Sequence, residues 1–175
     1  MISVMAEEEI FERRVDPKSM GMKKRKLSHF RFYWHDTLNG TDPSSVTVVK
    51  YPANSTEVFA FGFMNIFDSP ITIGPELTSK LVGRAEGFYF SASKGPIMSL
   101  YFSMNLAFTE GKYNGSTLTL LGRNPIILGA VRELPVIGGN GLFRFATGYA
   151  QISTYWFDNV TKDAIVEYNV FAWHF

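Results

Sequence analysis

The acidic residue Asp36 is the first candidate for chemistry in this sequence. It ends a strand-like stretch in which Phe30, Phe32 and Trp34 alternate with other residues, so its carboxyl shares a face with three aromatic rings. If that face is interior, desolvation raises the pKa of the carboxyl and makes Asp36 a proton donor near neutral pH. A second interpretation stays open at this point, in which Asp36 caps the turn at Asn39–Gly40.

Two hydroxyl groups lie beside rows of small residues. Tyr89 shares its strand face with Gly87, and Thr154 shares its face with Ala150. Small residues weaken a strand unless another group approaches it closely, and a ligand inside a cavity is one such group. Gly87, Ala150 and Thr154 are therefore candidate substrate-binding residues, while tight packing between sheets or subunits is the alternative explanation of the small residues.

Arg132 is the candidate cation of the site. It lies in the stretch 131–139, which contains apolar, charged, proline and glycine residues, and Glu133 follows it directly. Its guanidinium group could pair with Asp36 or orient a phenolate. The alternative is a surface arginine that pairs with Glu133 or another neighbour.

The elements that must position these residues are β-strands. Turn residues such as Asn39–Gly40, Ser69–Pro70 and Gly138–Gly141 separate segments rich in β-branched and aromatic residues, and no segment shows a helical apolar period. Without crossover helices the strands must be antiparallel, and eight of them can close into a barrel around a central ligand pocket. The sequence thus predicts an all-β fold with eight strands: His29–Asp36, Val46–Tyr51, Glu57–Phe67, Val82–Ser91, Ser99–Phe108, Ser116–Leu121, Leu142–Thr154 and Ala164–His174.

Composition excludes several classes of protein. The 175-residue chain has no Cys, so it has no disulfides, thiolate metal sites or cysteine nucleophile. A net charge of +1 gives no electrostatic reason to expect a nucleic-acid partner, and no apolar run is long enough for a membrane span. No metal or organic cofactor is indicated. Charged residues are concentrated in residues 1–28, which we predict to be a flexible tail before a single domain at 29–175.

Four Asn-x-Ser/Thr sequons fall in predicted turns or at strand ends, at Asn39, Asn54, Asn114 and Asn159. Glycosylation acceptors must be exposed, so this placement favours a secreted glycoprotein whose leader is absent from this chain. The alternative is that Asn, Gly, Ser and Thr are simply common in turns.

Six segments are distinctive when their order and spacing are taken together: Tyr33–Asp36, Phe67–Thr72, Val82–Tyr89, Tyr113–Gly115, Val136–Arg144 and Gly148–Ala150. As a set they resemble the plant dirigent family. The resemblance extends from residue 29 nearly to the C-terminus and implies a homotrimer of eight-stranded barrels, exported to the plant apoplast or cell wall, that binds small phenolic compounds. Apolar residues at Phe145, Tyr149 and Tyr155 would suit a subunit interface if their face points outward.

Position by position, the resemblance assigns the family's pocket acid, tyrosine, arginine and threonine to Asp36, Tyr89, Arg132 and Thr154. One position differs, because lignan-forming members have a second aspartate where this chain has Asn124. An amide cannot act as an acid, so this chain lacks the second acid for chemistry that needs two. The segments Tyr33–Asp36 and Arg132–Pro135 resemble the pterocarpan synthase branch more than the lignan branch.

The function implied by that branch is a hydro-lyase of isoflavonoid metabolism. Such an enzyme dehydrates 2′-hydroxyisoflavan-4-ols to pterocarpans through a quinone methide, with Asp36, Tyr89 and Arg132 as catalytic residues. The main alternative is a non-catalytic protein that directs the stereochemistry of phenoxy-radical coupling while a separate oxidase makes the radicals. A passive carrier of small aromatics is a third possibility.

Overall fold

The computed structural model describes residues 12–50, 60–126 and 130–175, and these residues form nine β-strands. Two single-turn 3₁₀ helices, Gly111–Tyr113 and Gly141–Phe143, precede β6 and β8. No helix among the described residues has the length and apolar character needed to cross a membrane. The strands are β1 Lys26–Asp36, β2 Ser45–Val49, β3 Met64–Thr72, β4 Leu81–Ser91, β5 Ser99–Phe108, β6 Thr117–Pro125, β7 Arg132–Gly139, β8 Thr147–Phe157 and β9 Ala164–His174.

The strands form one antiparallel sheet that closes on itself. Its order is β1-β9-β8-β7-β6-β5-β4-β3-β2, and β1 also pairs with β3 at Tyr33–Thr72 and Trp34–Ile71. This pairing makes a ring of eight strands, β1 and β3 to β9, with β2 attached only along β3. The predicted eight-stranded antiparallel barrel is confirmed.

Two of the predicted elements differ from the observed ones. The segment Arg132–Gly139, which was not predicted as a strand, is β7 and completes the ring, whereas β2 lies outside it. The predicted turn at Ser69–Pro70 lies within β3, at the point where β3 changes its partner from β2 to β1. Proline is tolerated there because it has no backbone N–H to donate to a neighbouring strand, and the pairing changes at this point. Residues 51 and 57–59 of two predicted strands lie outside the described residues.

The interior of the barrel is packed differently at its two ends. Around the start of β1, Phe30 contacts Phe108, Tyr113 and Phe143 with ring centroids 5.0–5.5 Å apart. These aromatic contacts close that end of the barrel. At the end of β1, where Asp36 lies, the interior is hollow. The interior is therefore packed with aromatic rings at one end, beside a groove of about 430 Å³ along Ser28–Phe32, and it is hollow at the other end.

The first strand begins inside the segment predicted as a tail. β1 starts at Lys26, and the guanidinium of Arg25 donates hydrogen bonds to the Thr147 hydroxyl at 2.7 Å and to the Trp173 carbonyl at 3.2 Å. Residues 25–28 are thus attached to β8 and β9. The boundary at residue 28 otherwise stays a prediction.

Candidate active site

A cavity of about 380 Å³ occupies the hollow end of the barrel. This volume lies within the range of roughly 300–1,000 Å³ that is usual for small-molecule sites. Apolar and aromatic side chains make most of its wall, and a few polar groups project from it. The lining residues are Trp34, Asp36, Tyr89, Met98, Leu100, Phe102, Asn124, Ile126, Arg132, Thr154, Phe157, Asn159, Lys162, Ala164, Val166 and Tyr168.

Asp36 is the acid of this cavity. As the last residue of β1 it points inward and is only 6% exposed. Burial raises the pKa of its carboxyl to about 7, partly opposed by the hydrogen bond that the Tyr89 hydroxyl donates to Oδ2 at 2.9 Å. The interpretation of Asp36 as a turn cap is wrong, since the amide of Leu38 binds the carboxylate of Asp163 instead, at 2.7 Å.

Tyr89 fixes the position of the Asp36 carboxyl. Its hydroxyl accepts a hydrogen bond from the side-chain amide of Asn65 at 2.7 Å, and its ring stacks on Phe102 at 5.0 Å. Burial, together with the nearby Asp36 carboxyl, raises the pKa of the Tyr89 phenol well above its ordinary value. Tyr89 therefore keeps its proton and is oriented as a donor toward Asp36. Asn65, which the sequence analysis did not identify, orients this tyrosine.

Arg132 and Thr154 form a second polar group in the wall. The first residue of β7, Arg132, is 6% exposed, and its Nη2 donates to the Thr154 hydroxyl at 2.9 Å. Burial lowers the pKa of the guanidinium, which nevertheless remains charged because arginine begins from so high a value. The structure shows no Arg132–Glu133 ion pair: Glu133 is on the opposite, exposed face of β7. The interpretation of Arg132 as a surface arginine is wrong.

Asn124 also lies where the sequence predicted a ligand contact. It is buried in β6, lines the cavity, and its Oδ1 has no hydrogen-bond partner among the described residues. Because a buried acceptor without a partner is costly, the oxygen is available to a donor on a bound molecule.

Gly87 and Ala150, in contrast, do not line the cavity. Ala150 is fully buried in the barrel core. A Cβ at Gly87 would lie 2.0 Å from the backbone oxygen of Ser103 on β5, so this glycine is required by the close approach of two strands. The prediction that these two small residues make room for a ligand is wrong. Gly87 serves the approach of adjacent strands within the wall, which differs from the packing between sheets or subunits considered as the alternative.

Unpartnered polar atoms are concentrated around the cavity. Of the buried side-chain atoms that lack a partner among the described residues, five belong to cavity-lining residues. Sequence analysis had not assigned a role to Tyr168 or to the Trp34 indole, although both alternate inward along β9 and β1. The five atoms are Trp34 Nε1, Asp36 Oδ1, Asn124 Oδ1, Arg132 Nε and the Tyr168 hydroxyl.

Comparison with known proteins places this barrel in a family. The family model described as a dirigent-like protein matches residues 27–173. This chain belongs to the dirigent family. Over 161 residues it is 44% identical to pterocarpan synthase 1 of Glycyrrhiza echinata, covering 92% of this chain and 85% of the relative. Over 156 residues it is 50% identical to dirigent protein 11 of Arabidopsis thaliana, covering 88% and 78%.

A solved structure agrees with the sequence relationship. The pterocarpan synthase dirigent protein GePTS1 has a TM-score of 0.82 and 44% identity to this chain, with 88% of each chain covered. The resemblance found in the sequence is confirmed.

The described part of this dirigent barrel contains no cluster of three or more His, Cys, Asp or Glu that could hold a metal ion. The cavity's polar groups are instead a carboxyl, two phenols, two amides, a hydroxyl, an indole and two cations, Arg132 and Lys162. Such a set can protonate, orient and hydrogen-bond an aromatic compound that carries hydroxyl groups.

Three of the four sequon asparagines can be located. Asn39, Asn114 and Asn159 are exposed, whereas Asn54 lies outside the described residues. Asn159 also lines the cavity, and Asn39 donates a hydrogen bond to the Thr161 carbonyl at 2.5 Å. Two sequons therefore lie at the end of the barrel where the cavity is.

Proposed function

We propose that this dirigent-family protein is a dehydratase that converts 2′-hydroxyisoflavan-4-ols to pterocarpans. The observation that carries the proposal is a buried carboxyl, Asp36, with a pKa of about 7, in an aromatic cavity of about 380 Å³. Relatives named pterocarpan synthase 1, from Glycyrrhiza echinata and Glycine max, are 44% and 43% identical to this chain and support it.

The first step is the loss of water. The substrate binds with its ring-A phenol ionised, and the phenol proton passes to solvent. Neutral Asp36 donates its proton to the C4 hydroxyl, the C4–O bond breaks, and water leaves as electrons move from the phenolate oxygen toward C4. The product is a quinone methide, and Asp36 is left as a carboxylate. Tyr89 hydrogen-bonds that carboxylate, while Thr154 orients the substrate.

The second step is ring closure. The 2′-hydroxyl oxygen forms a bond to C4, its proton passes to the Asp36 carboxylate, and electrons return to the ring-A oxygen, which regains a proton from solvent. Arg132 stabilises the negative charge on that oxygen, an effect that is larger in a water-excluded site. The closed barrel protects the quinone methide from water and presents one face of it for attack.

A second candidate function is stereochemical control of phenoxy-radical coupling, without catalysis by this chain. It is favoured by the 42–50% identity to Arabidopsis thaliana relatives that are named only as dirigent proteins. Asn124 weighs against it, because chemistry that requires two carboxylic acids lacks the second acid at this position. We therefore rank it below the dehydratase.

Assembly and location are part of the same proposal. Phe145, Tyr149 and Tyr155 are exposed on the outer surface, and we propose that they contribute to a homotrimer interface. We also propose export to the apoplast, with glycans on the exposed sequons. Sedimentation of the purified protein tests the first statement; a mass shift on enzymatic removal of glycans from the plant-expressed protein tests the second.

The deciding experiment incubates the pure protein with a panel of 2′-hydroxyisoflavan-4-ols without an oxidant, followed by chiral chromatography. A single pterocarpan enantiomer, formed by the wild-type protein and not by Asp36→Asn, supports the dehydratase. No conversion by the protein alone, combined with altered enantiomer ratios when an oxidase and a phenylpropenol are added, supports the second candidate and contradicts the first.

A further inference from the structure

Tyr168 is a buried tyrosine whose hydroxyl is not needed for packing. Its side chain is fully buried, and its ring stacks on Phe32 with centroids 5.4 Å apart and an interplanar angle of 7°. A phenylalanine would make the same ring contacts. Tyr168 lines the cavity, and its hydroxyl has no hydrogen-bond partner among the described residues. An unpartnered buried hydroxyl destabilises a fold, so it needs another explanation.

The sheet register places Tyr168 in the same row as Arg132. Arg132 on β7 pairs with Ile152 on β8, which pairs with Tyr168 on β9. All three residues are buried, and Arg132 and Tyr168 line the cavity. Their backbones are about 10 Å apart, two strand spacings, which is a distance that two long side chains can bridge toward one point.

The unpartnered polar atoms of Arg132 and Tyr168 are both hydrogen-bond donors. Arg132 uses Nη2 to bind Thr154, while its Nε–H has no partner among the described residues. Burial raises the pKa of the Tyr168 phenol, an effect that the Arg132 charge opposes, so Tyr168 stays protonated and can donate. Two unsatisfied donors in one row of the wall require an acceptor, and one of them is a cation.

The other polar groups of the cavity are less suited to bind that acceptor. Trp34 Nε1–H is also an unpartnered donor, but it is neutral and lies one row away, where Trp34 pairs with Val166. Asp36 and Tyr89 bind each other, and Tyr89 also binds Asn65. Asn124 offers an unpartnered acceptor oxygen, which would repel an anion. Lys162 lines the mouth of the cavity and donates to the carbonyl of Asn159.

We propose that Tyr168 and Arg132 form a phenolate subsite, in which the Tyr168 hydroxyl and Arg132 Nε both donate to one ionised phenol oxygen of the ligand. The inference rests on the proposed function and adds Tyr168 to the residues that contact substrate. The subsite holds the ring-A oxygen as the phenolate, the form that releases electrons toward C4. During ring closure it stabilises the charge that returns to this oxygen.

The test uses 7-hydroxycoumarin, a bicyclic phenol whose absorbance changes on ionisation. Its affinity is titrated against pH to give the ratio of phenolate to phenol affinity. We expect the wild-type protein to bind the phenolate more tightly, and Tyr168→Phe to reduce this ratio roughly tenfold, as the loss of a charge-assisted hydrogen bond should. Arg132→Lys, which keeps the charge and loses Nε, should reduce it as well.

Two controls make the result specific. Tyr101→Phe removes a hydroxyl from the outward face of β5, away from the cavity, and should leave the ratio unchanged. The thermal midpoint of Tyr168→Phe should equal or exceed that of the wild type, because the unpartnered hydroxyl is gone. An unchanged ratio in Tyr168→Phe overturns the subsite, as does absence of saturable probe binding. An equally large effect of Lys162→Met would place the anion at the mouth and also overturn it.

This measurement requires no turnover, so it separates the two proposals. If isoflavanols are not dehydrated but the affinity ratio depends on Tyr168, the dehydratase proposal fails and the phenolate subsite stands. If dehydration occurs and Tyr168→Phe changes neither the affinity ratio nor kcat, the subsite fails and the dehydratase stands.

Discussion

Two carboxyl groups on adjacent strands show how the barrel wall separates two kinds of acid. Asp36 on β1 points into the cavity, where burial raises its pKa to about 7. Glu167 on β9 points outward, where hydrogen bonds from Arg31 at 2.8 Å and Tyr33 at 3.0 Å, opposed by partial burial, lower its pKa to about 2.

The difference arises from the alternation of strand residues. Tyr33 pairs with Glu167 and Asp36 with Ala164, so the two acids are only three ladder positions apart. On the outer side of this two-stranded wall, Arg31 and the Tyr33 hydroxyl donate to Glu167. On the inner side, Asp36 lies among aromatic rings and accepts a hydrogen bond from Tyr89 of β4. The inner acid is therefore suited to donating a proton at neutral pH, and the outer acid to an ion pair.

The largest effect is expected from Asp36→Asn, which keeps the shape of the side chain and removes its acidic proton. We expect the rate of isoflavanol dehydration to fall roughly 10²–10⁴-fold, the usual contribution of a general acid. The wild-type rate should also decline as the pH rises through about 7, because Asp36 loses its proton there. Steady-state rates from pH 5 to 9 check both statements, and wild-type activity in the variant would contradict the acid's role.

The same variant should change stability in the opposite direction. Folded Asp36 keeps its proton up to about pH 7, whereas in the unfolded chain it is lost near the ordinary value of 3.8, so wild-type stability falls as the pH rises between these values. Asp36→Asn should remove this loss. The unfolding free energy of the variant should therefore exceed that of the wild type by roughly 4 kcal/mol at most above pH 7, and by close to zero below pH 4. Urea unfolding at pH 3.5, 5.5 and 8 measures it.

Two alanines, one facing inward and one outward, test whether turnover depends on the inner face of the barrel wall. Ala164 lines the cavity and Ala107 on β5 faces outward. Ala164→Leu should displace the substrate by an ångström or more and reduce turnover by about 10²-fold, while the protein stays folded. Ala107→Leu should have little effect on turnover. Equal activity in the two variants would show that the cavity is not the site of reaction.

Tyr89→Phe sharpens the comparison by removing the one hydrogen bond that Asp36 receives from Tyr89. That bond lowers the pKa of Asp36, so its loss should raise the pKa further and move the alkaline limb of the rate profile upward by roughly one pH unit. Tyr101→Phe, on the outward face of β5, is the control. An alkaline limb at the same pH in Tyr89→Phe would show that this limb does not arise from the titration of Asp36.

The smallest effect on activity is expected from a substitution on the outer face of the barrel. Glu167→Gln should leave turnover unchanged and cost about 1 kcal/mol of unfolding free energy at pH 7, since the pair with Arg31 is largely solvent-exposed. Because the pKa of Glu167 is lowered in the folded protein, its ionised carboxylate stabilises the fold above pH 4.5, the ordinary pKa. This stabilisation is lost as the pH falls toward about 2. Urea unfolding at pH 7 and pH 2 should therefore show a difference only at pH 7, and a loss of turnover would place Glu167 in the reaction.

Much of the fold was predictable because β-sheet patterning is local. Alternation located most of the strands and the inward faces that carry Tyr89 and Thr154. β7 was not predicted because Pro135 and the glycines Gly138 and Gly139 are typical of turns. In the barrel Pro135 pairs with Tyr149 on one side, and on the other the β6 ladder ends at Val136, so the missing N–H is tolerated.

The site was only partly predictable because its contacts join distant strands. The Tyr89–Asp36 bond spans 53 residues, and no local pattern distinguishes an inward aspartate from a turn cap. Gly87 was misassigned because strand approach and ligand approach both require a small residue. Tyr168 was overlooked because its hydroxyl becomes informative only when the surrounding described residues are seen to offer it no hydrogen-bond partner.

The most direct test of the central claim is the titration of Asp36 itself. ¹³C NMR of protein labelled at the side-chain carboxyls of its six aspartates, compared with Asp36→Asn, identifies the resonance of this one group. The account predicts a midpoint near pH 7, with the carboxyl still protonated at pH 6. A midpoint near pH 4 would mean that Asp36 is ionised at neutral pH, and it would contradict the proposed proton donor.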